Sequence, residues 1–98
     1  MSINAYHFWS PTCAPCKYIK PAIEDLKEEF PKVSWVSVNT QDDTKQLATK
    51  YNVTVVPTIV VESLDKDNKV LVTEKQTGTN MTNYYRIVRN ALKATQLS

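Results

Sequence analysis

Phe8-Trp9-Ser10-Pro11-Thr12-Cys13-Ala14-Pro15-Cys16-Lys17 is the stretch that decides how this chain reads. It holds both cysteines, separated by two residues. Ahead of the turn, Ile3-Asn4-Ala5-Tyr6-His7-Phe8-Trp9 has the aromatic-rich composition of a strand. Behind it, Ile19, Ile23, Leu26 and Phe30 recur with helical period. A Cys-x-x-Cys at a strand-to-helix turn points to redox chemistry for a physical reason. The first turn of a helix presents unpaired N–H groups and the positive end of the macrodipole, and both favour thiolate over thiol. Thiolate is the nucleophile of disulfide exchange, so Cys13 is placed to attack and Cys16 to displace the resulting mixed disulfide. Two other readings of the pair stay open. A structural staple would close a loop of only two residues and remove little entropy from the unfolded chain. A zinc half-site would lack a second pair, since His7 is the single histidine and zinc takes four ligands; no metal is expected.

Working outward from the turn, Pro15 falls where an early helical proline costs nothing. Lys17, Lys20, Glu24, Lys27 and Glu28 line the opposite, solvated face of the first helix, with Lys20 and Glu24 spaced for i,i+4 pairing. Pro21 lies inside that helix and is expected to kink it, and Pro31 to stop it. Val33–Val38 reads as a second strand. Asp42 or Asp43 is expected to cap a short helix carrying Leu47, Ala48 and Tyr51 inward, with Asn52 at a left-handed exit. Thr58–Glu62 follows Pro57 as a third strand; Asp65-Lys66-Asp67-Asn68 is a turn, and Val70–Glu74 returns as a fourth. A last helix runs from near Asn80, with Met81, Tyr84, Tyr85, Val88 and Leu92 at helical spacing. Its Arg86, Arg89 and Lys93 form a basic stripe, a solvated face with docking of an acidic partner as the alternative. The order β-α-β-α-β-β-α predicts an α/β fold: a four-stranded mixed sheet flanked by helices. Its first two strands are parallel through a right-handed crossover, and its last two are an antiparallel hairpin.

The totals narrow the partners. Ninety-eight residues make one domain, 1–98, and a hydrophobic fraction of 42% argues against disorder. A net charge of +2, from 12 basic and 10 acidic residues, gives no electrostatic case for nucleic acid or a membrane surface. No signal peptide and no membrane-spanning run is visible. A soluble, reducing compartment, the cytoplasm, is expected, because a lone Cys-x-x-Cys there must cycle to be useful.

Beyond the turn itself, Trp9, Cys13-Ala14-Pro15-Cys16-Lys17, Pro21, Val56-Pro57-Thr58 and Gly78 together resemble the thioredoxin family, in the right order along nearly the whole chain. The resemblance implies a thioredoxin-like fold that starts at its first core strand, without the extra N-terminal strand and helix of full-length members. It also implies that Pro57 is cis and faces the cysteines; the plain alternative is a trans proline at a strand start. Val56 would then turn its backbone toward an extended substrate. Gly78 would border the same groove, where a missing side chain admits close approach. Trp9 would pack beside the disulfide, and Thr12, Ala14 and Pro15 would complete the substrate contacts.

Three positions depart from the family. Thr12 stands where a tryptophan is usual, and Ala14 where a glycine is usual. His7 replaces the buried aspartate that relays the proton of the second cysteine, and the partner lysine is missing from the region of Ser37 and Val38. His7 is therefore a candidate proton acceptor, since neutral imidazole takes a proton near physiological pH and shares a strand face with Trp9. A satisfied core histidine is the alternative.

The resemblance implies a thiol–disulfide oxidoreductase that reduces protein disulfides. It would act as a monomer, with no cofactor besides the redox-active Cys13–Cys16 disulfide, and a thioredoxin-reductase-like enzyme would recycle it. One alternative is a glutaredoxin-like, glutathione-dependent enzyme, although Thr77-Gly78-Thr79-Asn80 lacks that family's Gly-Gly stretch. Another is a non-enzymatic binding module, which the retention of both cysteines disfavours.

Overall fold

The computed structural model describes residues 2–97. Its elements follow the expected order: β1 (Ser2–Trp9), α1 (Ala14–Glu29), β2 (Ser34–Asn39), α2 (Leu47–Lys50), β3 (Thr58–Leu64), β4 (Val70–Thr77) and α3 (Met81–Leu97). The strands lie side by side as β2-β1-β3-β4. β1 and β2 are parallel, while β1–β3 and β3–β4 are antiparallel. β3 and β4 run two and three residues further than the composition marked, because cross-strand pairing carries the polar residues Ser63, Lys75 and Gln76 along with their partners.

The two-residue period of β1 sorts its side chains to opposite sides. Ile3 and Ala5 join Ile59 and Val61 beneath α1 and α3, where Ile19, Ile23 and Leu26 meet Tyr84, Ile87 and Val88 in the main core. Phe8 points the other way, into a smaller cluster with Val38 and Val60 that Leu47, Ala48 and Tyr51 cover. α1 runs unbroken through Pro21. Asp43 caps the short helix as expected, though from outside the N-cap position. Gln46, in left-handed conformation, occupies its N-cap without a side-chain bond, and the Asp43 carboxylate reaches past it to accept from the amides of Leu47 and Ala48 at 3.0 and 2.8 Å. Asn52 is left-handed, with φ 56°, as its residue type suggests. On α3 the basic stripe is exposed: Arg89 lies over the Tyr85 ring at 5.5 Å, and Arg86 reaches Gln76 at 3.5 Å.

Candidate active site

The turn between β1 and α1 is built by its own hydroxyls. The Cys13 amide donates to the Ser10 carbonyl at 3.1 Å, and the Thr12 amide donates to Ser10 Oγ at 3.2 Å. Gln41, from the short 3-10 turn after β2, donates through Nε2 to Ser10 Oγ and Thr12 Oγ1 at 3.3 and 3.0 Å. Thr12 is thus part of the bracing of the turn as well as its exposed surface. Gln41 carried no sequence signal, because its role depends on a contact 29 residues away.

Cys13 is the N-cap of α1, and Pro15 lies in the helix's first turn. The Cys16 amide donates to Cys13 Sγ at 3.1 Å, so an orphan N–H of the helix start is aimed at that sulfur. Cys13 and Cys16 form a disulfide, with Cα atoms 5.2 Å apart. Cys13 is half-buried, whereas Cys16 is 5% exposed. The pair is asymmetric: one sulfur faces out, and the other backs onto the core.

Across from the sulfurs, the Val56–Pro57 peptide is cis, and the Val56 carbonyl oxygen lies 3.7 Å from Cys13 Sγ. The loop that carries it is tied down from three sides. Thr58 Oγ1 donates to the Val55 carbonyl at 2.6 Å and shares a 2.8 Å contact with the Thr77 hydroxyl. The Gly78 amide donates to the Pro57 carbonyl at 3.0 Å. From α3, the fully buried Tyr84 directs its hydroxyl to the carbonyls of Gly78 and Pro57. Burial pushes that phenol up to about 12, so it stays a neutral donor. The helical pattern marked Tyr84 only as core; its hydroxyl is a brace for two loops that the sequence left apart. Gly78 adopts φ +112°, a conformation open to glycine, and a Cβ there would meet nothing within 4 Å. Its residue type is therefore set by backbone conformation, and the space in front of it is open.

Behind Cys16 lies a cleft of about 410 Å³. His7 and Trp9 of β1 line one wall; Cys16, Lys20, Glu24 and Lys27 of α1 line another. Trp9 donates its indole N–H to Ser37 Oγ at 2.8 Å, so Ser37 fixes the tryptophan from β2. His7 is 6% exposed, and its Nε2 has no hydrogen-bond partner among the described residues. Burial first, then the Lys27 ammonium, draws its pKa from 6.5 to about 4, with Glu24 opposing. His7 is therefore neutral at physiological pH, as an acceptor must be. Its hold on a proton is far weaker than that of an ordinary histidine, because charging it would strand a cation in the protein interior beside another.

The arrangement brings Cys13, Cys16, Val56, Pro57 and Gly78 together at one end of the sheet, with His7 and Trp9 lining the cleft behind Cys16. The Thioredoxin family model matches residues 4–86. The thioredoxin of Bacillus subtilis is 39% identical over 67 residues, which is 67% of this chain and 61% of that protein. The chain spans between 29% and 61% of the length of the curated thioredoxins it matches. Among solved structures, Fasciola hepatica thioredoxin superposes with a TM-score of 0.76 at 29% identity, over 92% of this chain and 81% of that one. A thioredoxin f2 solved in complex with ferredoxin:thioredoxin reductase gives 0.75 at 27% identity, over 92% and 77%. The fold is thioredoxin-like, a four-stranded mixed sheet with helices on both faces and a Cys-x-x-Cys disulfide at the start of the first helix. The chain belongs to the thioredoxin family.

Proposed function

We propose that this chain is a thiol–disulfide oxidoreductase that reduces protein disulfides, with Cys13 as nucleophile and Cys16 as resolving thiol. The observation that carries the reading is the Cys16 amide donating to Cys13 Sγ at 3.1 Å from the first turn of α1. In the reduced protein the same N–H and the helix dipole stabilise a Cys13 thiolate. That thiolate attacks one sulfur of a substrate disulfide; the Cys13–substrate bond forms, and the first substrate thiolate leaves with the electron pair. Cys16, deprotonated, then attacks Cys13 Sγ. The intramolecular disulfide forms, the second substrate thiolate leaves, and both leaving groups take protons from solvent. The substrate is reduced by two electrons, and the Cys13–Cys16 pair is oxidised.

An extended substrate would lie along Val56, Pro57 and Gly78, with Trp9, Thr12, Ala14 and Pro15 at the rim. His7, facing the cleft behind Cys16, would take up the proton of the resolving thiol. The partners in this reading are disulfide-bonded proteins and a reductase of the thioredoxin-reductase kind, in the cytoplasm, with the chain acting as a monomer of one domain. The complex of the related thioredoxin f2 with a reductase supports that recycling step.

The reduced protein, treated with iodoacetamide at pH 7, should be alkylated at Cys13 ahead of Cys16. Cys16→Ser should trap a mixed disulfide between Cys13 and a disulfide-bonded test protein. Preferential alkylation of Cys16, or failure to turn over the test protein with dithiothreitol as reductant, would overturn the assignment.

A further inference from the structure

The cleft behind Cys16 holds a charged pair that the strands do not provide. Glu24 and Lys27, one helical turn apart on α1, meet at 3.6 Å, and both line the cleft that Cys16 and His7 line. The Lys27 side chain is 22% exposed and that of Glu24 55%, so the carboxylate end of the pair is the more open to water. β1 adds one titratable group to this space, His7, and β2 adds only the neutral Ser37. The remaining cations, Lys17 and Lys20, are exposed residues of α1 that also line the cleft. His7 is thus a buried imidazole whose Nε2 has no partner among the described residues, and it lines the same cleft as the buried Cys16 and the Glu24–Lys27 ion pair.

We propose that Glu24 and Lys27 form the outer end of a proton path that runs from Cys16 through His7 to solvent. The inference rests on the oxidoreductase reading. In the resolving step the Cys16 S–H bond breaks, and His7 accepts the proton on one ring nitrogen and releases one to the Glu24 carboxylate. The electron pair stays on Cys16 and becomes the new bond to Cys13 Sγ. The net charge of the cleft does not change during the transfer: one carboxylate becomes neutral as one thiolate forms. Once the negative charge has left with the substrate thiolate, Glu24 returns its proton to water. The lowered pKa of His7, about 4, makes its imidazolium a ready proton donor, so the imidazole passes the proton on and does not trap it. Glu24 and Lys27 act through His7 and are positioning residues for this step.

Charge alone and a proton path make opposite predictions for Glu24→Gln. Removing a carboxylate near Cys16 makes the thiol more acidic, and charge alone would speed resolution. A proton path loses its exit, and resolution slows. The experiment is single-turnover stopped flow at pH 7 in dilute buffer, with the reduced full chain against a disulfide-bonded test protein. The midpoint of Cys16 ionisation is followed in parallel by thiolate absorbance in a Cys13→Ser background. Glu24→Gln should lower that midpoint yet slow resolution about tenfold, short of the ~10²–10⁴ of a base in direct contact. Formation of the mixed disulfide should stay within twofold, and Glu24→Asp should recover most of the rate. Lys27→Met should raise the midpoint and slow the same phase. Resolution at the wild-type rate or faster in Glu24→Gln overturns the path. Should no mixed disulfide form in the wild type, it is the oxidoreductase reading that fails.

Discussion

Two buried ionisable side chains on adjacent strands, Glu62 of β3 and His7 of β1, have been treated in opposite ways. Glu62 lies on the α2 side of the sheet and is closed off by donors: Asn4 Nδ2 and the Tyr6 hydroxyl reach Oε1 at 3.3 Å each, and the Tyr51 hydroxyl reaches Oε2 at 3.1 Å. Burial, with Tyr6 and Glu62 adding to it, raises the Tyr51 phenol above its ordinary range and keeps it a donor. His7 lies on the α1 side, equally hidden, with a ring nitrogen unpartnered among the described residues and a cleft before it. A buried polar group that is fully paired stabilises one arrangement; one that is left open costs stability and is available for chemistry. The contrast separates structural from functional polarity within one small sheet.

The largest effect expected from this contrast is on stability against pH. His7 has a folded pKa of about 4 against 6.5 unfolded, so between those values the unfolded chain binds the extra proton. Stability is fully present above about pH 6.5 and falls as pH drops toward 4. The gap corresponds to about 3 kcal/mol. Denaturant melts of wild type and His7→Gln from pH 7.5 to 3.5 should yield a difference curve of that size, and a flat one would mean that His7 is not held neutral. Next comes the resolving step, which His7→Ala should slow by about 10²-fold while attack by Cys13 is spared. His7→Asp should restore part of the rate. In wild type no inflection near pH 6.5 should appear in that phase, since the imidazole is already neutral there; stopped-flow fluorescence of Trp9 and Trp35 between about pH 5.5 and 8.5 reads both points.

Glu62→Ala should do the reverse. It strands the Tyr6 and Tyr51 hydroxyls and should cost about 2 kcal/mol of unfolding free energy, with the exchange phases within twofold of wild type. A slowed resolving phase in that variant would erase the distinction between the two sites. The smallest change is Tyr84→Phe, which removes the donor to Pro57 and Gly78 from beneath the groove. It should cost about 1 kcal/mol in thermal or denaturant melts and weaken substrate turnover more than it affects iodoacetamide alkylation of Cys13. Unchanged turnover would limit Tyr84 to a core role.

The sequence by itself determined the element order, the Cys-x-x-Cys at a helix start, the left-handed Asn52 and the sheet face shared by His7 and Trp9. Each of these rests on local chemistry: side-chain period, a cap, or a residue type suited to one backbone conformation. Only the tertiary structure decided which polar groups are paired. Gln41 bracing Thr12, Tyr84 joining Pro57 to Gly78, Ser37 holding Trp9 and the three donors on Glu62 all link residues from different elements. Periodicity carries no information on such pairings. The same holds for His7, whose residue type permits a proton anywhere near neutral pH. Its burial beneath α1, beside the Lys27 ammonium, is what holds it neutral, and packing alone created that environment.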